Sequence, residues 1–173
     1  MFVRFTSVLA AIGLAGTVAF AQSAKPTDPQ IAHIAYTAGV LDIEGARQAL
    51  RMSTNKDVRA FAEQMIKDHE AVNKQALALV KKLNVTPQDN DTSKALTAQA
   101  TAKRDELARL SGGAFDKVYI ENEVAYHKVV NNALETTLIP SSQNAELKSL
   151  LETGLKLFRG HQSHAEQTAS MVK

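Results

Sequence analysis

Apolar residues along this chain recur at alternating steps of three and four, the spacing of helices that bury one face. Ile31, Ile34, Ala35, Ala38, Leu41, Gly45, Ala49 and Met52 form a first stripe, and Val58, Phe61, Met65, His69, Val72, Ala76, Leu79 and Leu83 a second. Ile120, Glu123, His127, Val130, Leu134 and Leu138 form a third. The last comprises Leu147, Leu151, Gly154, Phe158, His161, Ala165, Thr168 and Val172. Between the second and third, Leu96, Ala100, Leu107 and Leu110 make a thinner stripe on a polar segment, as a covering or crossover helix would. No segment sustains the two-residue alternation of a half-buried strand.

Breakers and capping residues divide these stripes into elements. Asp28 is placed to cap the first helix. Thr54 with Asp57 resembles a capping box, so that a second helix runs from near Asn55 to Asn84. The sequence Pro87 to Asp91 is turn chemistry, and Thr92 or Ser93 can cap the covering helix, which reaches Leu110. Gly112-Gly113 ends it by permitting a sharp reversal. A helix from Ala114 to Leu138 closes at Pro140, and the last runs from Ala145 to Val172. Small residues at Ala38, Gly45, Ala46 and Ala49 let a neighbouring helix approach the first closely.

A shift of 58 residues lays His69 on His127, Val72 on Val130, Asn73 on Asn131 and Phe61 on Tyr119. If that weak repeat is real, the second and third long helices run parallel and the covering helix travels the length of the bundle between them. The predicted fold is all-α, a ferritin-like four-helix bundle with an additional crossover helix.

The first 21 residues change the picture of location. One cation, Arg4, precedes an apolar run from Val8 to Ala19 and then Ala19-Phe20-Ala21, the three-part layout of a cleavable secretory signal. The run is short for a membrane span and contains Gly13, Gly16 and Thr17. The expected division is a signal peptide at 1–21, a flexible lead-in at 22–29 containing two prolines, and one helical bundle domain at 30–173. The expected location is the periplasm, with loose association to the envelope as a variant of it. With no cysteine in 173 residues, an exported chain has no disulfides and depends on packing. Lys and Arg total 20 against 18 Asp and Glu, a mixed and nearly balanced charge that gives no electrostatic case for nucleic acid.

The candidate chemistry lies in polar residues near helix midpoints: His69, Glu123, His127 and His161, which break the apolar stripes, and Asp42, which sits beside the first. Helices of similar length packed side by side bring their midpoints to one level. Two readings follow. In one, imidazoles and carboxylates, with Glu44 as a further candidate, hold a divalent metal ion such as zinc, iron, manganese or copper. In the other, His69 and His127 bond to Asp42, Glu123 or Tyr126 and form a satisfied polar layer that fixes helix register. Met65, one turn before His69, could offer copper a thioether, or be plain core. No Glu-x-x-His occurs, which disfavours carboxylate-bridged di-iron chemistry. Without a cysteine, a serine elbow or a phosphate-cradling loop, no catalytic constellation is present.

FAEQMIKDH, LSGGAFDKVYIENEVAYH and LKLFRGH together resemble a family of exported bacterial proteins catalogued as a domain of unknown function and labelled as outer membrane proteins. The resemblance covers Asp28 to the C-terminus and implies a ferritin-like bundle without an established activity. Its motif histidines fall on His69, His127 and His161. Where that family has Glu in the first helix this chain has Asp42, and where it often has Leu-Pro before the last histidine this chain has Leu155-Lys156. The functional expectation is a non-enzymatic periplasmic bundle with an envelope or stress-related role, its partner an unidentified envelope protein or a second copy. The alternative is a metal-binding or metal-handling protein.

Overall fold

The computed structural model of the protein describes residues 25–172; the expected signal peptide lies outside them. The described residues form six helices: α1 Asp28–Met52, α2 Lys56–Lys82, α3 Asp91–Leu107, α4 Gly112–Ala133, α5 Ile139–Ser141 and α6 Ala145–Met171. A π-helical turn, Leu134–Leu138, joins α4 to α5. Pro140, the second residue of α5, has no N–H to donate to the carbonyl four residues back, which interrupts the hydrogen-bond ladder where the π turn hands over to α5. No strand occurs among the described residues.

The caps fall within two residues of the expected positions, yet on different side chains. Thr27 rather than Asp28 is the N-cap of α1, with Gln30 reaching back to the Thr27 N–H at 3.0 Å. At α2 the cap is Asn55, whose Oδ1 accepts from the N–H groups of Asp57 and Val58. At α3 it is Asn90, in reciprocal contact with Ser93. In each case a residue with a side-chain oxygen takes the position, and at α1 this releases the Asp28 carboxylate for other contacts.

Asp28 uses that release to close one end of the bundle. Its two carboxylate oxygens accept from the N–H groups of Gln143 and Asn144, at 2.9 and 2.8 Å, tying the start of α1 to the start of α6. The Gln88 N–H donates to the Pro29 carbonyl, which brings the end of α2 and the start of α3 to the same end. At the far end of α3 the Arg104 carbonyl accepts from Gln48 Nε2 at 2.9 Å. α3 therefore travels alongside α1 from one end of the bundle to the other. The long helices run up, down, down and up, with α2 parallel to α4, and this is the ferritin-like order with an added crossover helix.

A polar layer separates two apolar clusters. One, above it, contains Val58, Phe61, Met65, Phe115, Tyr119, Ile120 and Ala165. The other, toward the end closed by Asp28, contains Ile31, Ile34, Leu134, Leu138, Leu147, Leu151 and Leu155. Phe61 meets Tyr119 edge-on with ring centroids 6.4 Å apart, and His69 lies 6.1 Å from His127. Pairs that the 58-residue shift superposes thus face each other across the bundle.

Candidate metal centre

Helical periodicity places one polar side chain from each long helix, and two from α4, in the middle of the bundle. Asp42, His69, Glu123, His127 and His161 are each no more than 4% exposed. The three imidazoles form a triangle with centroid separations of 5.3 Å (His69–His161), 5.5 Å (His127–His161) and 6.1 Å (His69–His127). Phe158 lies almost flat against His69, 4.8 Å away at 13°, and fixes that ring's plane. One donor atom from each of the three histidines falls within 4.8 Å of the others. Asp42, Glu123 and His127 form a second such group.

The hydrogen bonds settle which nitrogens carry protons. His127 Nδ1 lies 3.0 Å from the Glu123 backbone carbonyl. A carbonyl only accepts, so Nδ1 holds the hydrogen and Nε2 is left with its lone pair. His161 Nε2 lies 2.9 Å from Asp68 Oδ2. Asp68, although slight burial works the other way, is held below the usual carboxylate range by hydrogen bonds from Gln64 and His161. It accepts the His161 hydrogen and leaves Nδ1 free. Neither nitrogen of His69 has a partner, and His127 Nε2 and His161 Nδ1 are likewise unpaired.

Burial favours the neutral forms throughout the layer. It depresses His69 to about 3, with the neighbouring His161 and His127 adding to the effect. It depresses His127 to about 4, against the opposing bond to the Glu123 carbonyl. His161 is also lowered by burial, its Asp68 partner resisting. On the carboxyls the same desolvation acts in the opposite sense, raising Asp42 to about 7 and Glu123 well above its ordinary value, the latter reinforced by Asp42. Asp42 Oδ2 lies 3.5 Å from His69 Nε2 and 3.6 Å from His127 Nε2. Since those rings are neutral near pH 7, these approaches are contacts without ion pairing. Both Asp42 oxygens, Glu123 Oε2 and the Tyr119 hydroxyl are also buried without a hydrogen-bond partner.

Of the six candidate ligands, five meet in this layer. Glu44 stands apart: two residues from Asp42, it is turned to the outer side of α1, where it lies 2.9 Å from Arg104 of α3 and helps seat the crossover helix. Met65 packs in the apolar cluster with Phe61 and Tyr119. Tyr126 donates to the Ala38 carbonyl at 2.8 Å rather than to a histidine. Periodicity missed Asp68, the residue that orients His161. It precedes His69 in the sequence, and its spacing from Gln64, which donates to it at 2.7 Å, is the one local sign of its role.

The sequence matches the family described as "Domain of unknown function (DUF4142)" over residues 14–168. Among solved structures it is similar to "CopM in the Cu(II)-bound form", with a TM-score of 0.64 and 14% identity, covering 85% of this chain and 98% of that one. At that identity the likeness is one of fold. No curated protein matches the sequence. No helix among the described residues is long and apolar enough to cross a membrane.

Proposed function

The chain belongs to the DUF4142 family of domains of unknown function, and we propose that in this member the bundle centre binds one divalent transition-metal ion. The observation that carries this reading is a cluster of three buried imidazoles, each with a nitrogen lacking a hydrogen-bond partner and with one donor atom apiece within 4.8 Å of the others, two of the rings being held through their other nitrogen. Most buried polar atoms in proteins find partners. A layer serving only to fix helix register would satisfy its own atoms, whereas both nitrogens of His69, His127 Nε2 and His161 Nδ1 are left without partners. Metal-bound histidines commonly donate their second N–H to a carbonyl or carboxylate, and His127 and His161 are held in that way by the Glu123 carbonyl and Asp68.

The residues fit such an ion. Metal–nitrogen bonds of ~2.0–2.1 Å put tetrahedral ligands roughly 3.3 Å apart, and donor atoms already within 4.8 Å need only small ring movements to reach that spacing. His69, His127 and His161 would hold the ion, and Asp42 would supply negative charge beside it. A dication there draws the Asp42 and Glu123 carboxyls back toward ionisation, so binding releases protons. Three imidazoles suit copper(II) or zinc. The Cu(II) named for the solved structure of like fold makes copper the first ion to test. Exported by the leader read in the sequence, the domain would meet its metal in the periplasm.

Metal analysis of protein purified without an affinity tag, before and after incubation with copper, zinc, iron and manganese, tests the reading. The expected result is one ion per chain, lost in both His69→Ala and His127→Ala and kept in Glu44→Ala. At a hundredfold excess over Kd the ion stabilises the fold by ~2.7 kcal/mol, visible as a rise in Tm. Failure to retain any of the four metals, or unchanged retention in both histidine variants, refutes it.

A further inference from the structure

Between the polar layer and the end closed by Asp28 lies a cavity of about 940 Å³. We infer that this cavity binds a neutral, elongated apolar molecule with one hydrogen-bonding end, which lies against His69 and Asn73. The site borders the proposed metal ligation, two of whose residues, His69 and His127, form its inner wall, and its occupant needs no bound ion.

Three features define the occupant. The first is size. The volume lies at the upper end of the ~300–1,000 Å³ range of small-molecule pockets. From His69 to Val80, both of which line the cavity, α2 advances roughly 16 Å at 1.5 Å per residue. The second is the wall, built from apolar residues such as Val72, Leu79, Val130, Leu134 and Leu151 with small ones interspersed. Water there has few partners, so an apolar body gains by displacing it.

The third is the placement of polar and charged groups. Lys25 and Asp91, near the starts of α1 and α3, bring charge to the outer end. At the inner end stand His69, with both nitrogens unpaired, His127, and the buried amide of Asn73. Among the described residues no cation lines that end to receive an anionic head, and Asp42 lies 3.5 Å behind His69. An ionised carboxylate would approach that acid without compensation. A hydroxyl, phenol or amide end can instead exchange hydrogen bonds with the Asn73 amide and the unpaired His69 nitrogens.

Gly39 makes the placement of Asn73 possible. A Cβ at Gly39 would come within 2.4 Å of Asn73 Oδ1, so the amide rests in space that any larger residue would fill. That close approach holds the polar atoms of Asn73 against α1 beside the cavity.

The test uses full-length protein freed of metal by chelation, which separates this inference from the metal reading. N-phenyl-1-naphthylamine, a neutral fluorophore, should bind saturably at one site and be displaced by dodecan-1-ol. Dodecanoate at pH 8 should compete at least ~tenfold less well, because it brings charge to a site with no counter-charge. Ala76→Phe, which fills the cavity from α2, should weaken probe binding at least ~tenfold without lowering Tm; Ala133→Phe does the same from α4 should the first variant not fold. Asn73→Leu should weaken dodecan-1-ol about tenfold while leaving fluorophore affinity within about threefold. Non-saturable fluorescence, probe affinity indifferent to both phenylalanine variants, or dodecanoate binding as tightly as the alcohol would overturn the inference.

Discussion

The two halves of the bundle are built from the same four long helices and are packed differently. Above the polar layer, Val58, Phe61, Ala62, Met65, Phe115 and Ile120 are fully excluded from solvent. Below it, Leu138, Leu147, Leu151 and Leu155 keep slight exposure and line or flank the large cavity. Aromatic volume accounts for much of the contrast. Phe61, Phe115 and Tyr119 interlock in the upper half, Phe115 and Tyr119 stacked at 6.0 Å. The lower half has small residues at Ala35, Ala38, Gly39, Ala76, Ala133 and Gly154 where its walls face one another. The upper half is built for stability, and the lower gives up packing for space.

Truncation should expose that difference most strongly. Phe61→Ala removes a ring held edge-on by Tyr119 and by His164, whose centroid is 5.2 Å away, and the surrounding side chains have little room to collapse. The expected loss is ~3–5 kcal/mol. Leu138→Ala enlarges space that already exists and should cost only ~2 kcal/mol, near the lower limit for such changes. Chemical denaturation of the metal-free protein measures both. Equal losses would mean that the lower half is as tightly filled as the upper.

The boundary between the halves should respond to pH. Asp42, raised to about 7 by burial, takes up a proton on folding. Its contribution to stability is therefore full below its unfolded value near 3.8 and is lost as pH rises through about 7. His69 and His127, depressed to about 3 and about 4, act in the opposite sense: their contribution is present above 6.5 and lost as pH falls toward those values. Asp42→Asn keeps the shape and removes only the acid. In metal-free protein the variant should gain on the wild type progressively from pH 4 to pH 8, by up to ~4 kcal/mol at 1.36 kcal/mol per pK unit. Parallel stability profiles for the two proteins would show that Asp42 is not held neutral by its surroundings.

Most of the fold and the inner members of the candidate site were legible in the sequence, because helical burial is written in period. A residue in step with apolar neighbours faces the core whatever its polarity, and this located His69, Glu123, His127 and His161; Asp42, beside the first stripe, was picked out by its place at the midpoint of its helix. What depends on neighbouring helices was not legible. Asp68 lies one position off the stripe and matters only because α6 presents His161 beside it. Glu44 is close to Asp42 in sequence but two steps, some 200°, around the helix, and α3 claims it. Small residues in α1 suggested uniform close approach. Ala46 and Ala49 fulfil that in the filled half, whereas Ala38 lines the cavity. Composition alone does not say whether a neighbour comes close or leaves room.

Adding atoms should distinguish those two outcomes, with smaller effects of opposite sign. Ala62 is fully buried within the upper cluster, so Ala62→Leu forces neighbours from their rotamers and should cost ~1–3 kcal/mol. Gly154 lies in the middle of α6 on the cavity wall, where a new Cβ would meet the Phe158 ring no closer than 3.4 Å, ordinary van der Waals contact. Alanine there reduces the backbone entropy lost on folding and should stabilise the helix by up to ~1 kcal/mol. Because the methyl touches the ring that stacks on His69, the metal-free protein is the appropriate state for comparing Tm. A gain for Gly154→Ala alongside a loss for Ala62→Leu separates space in the wall from space in the core. A loss for both would mean that Phe158 is already wedged between α6 and His69, leaving the open half with volume but no slack at that point.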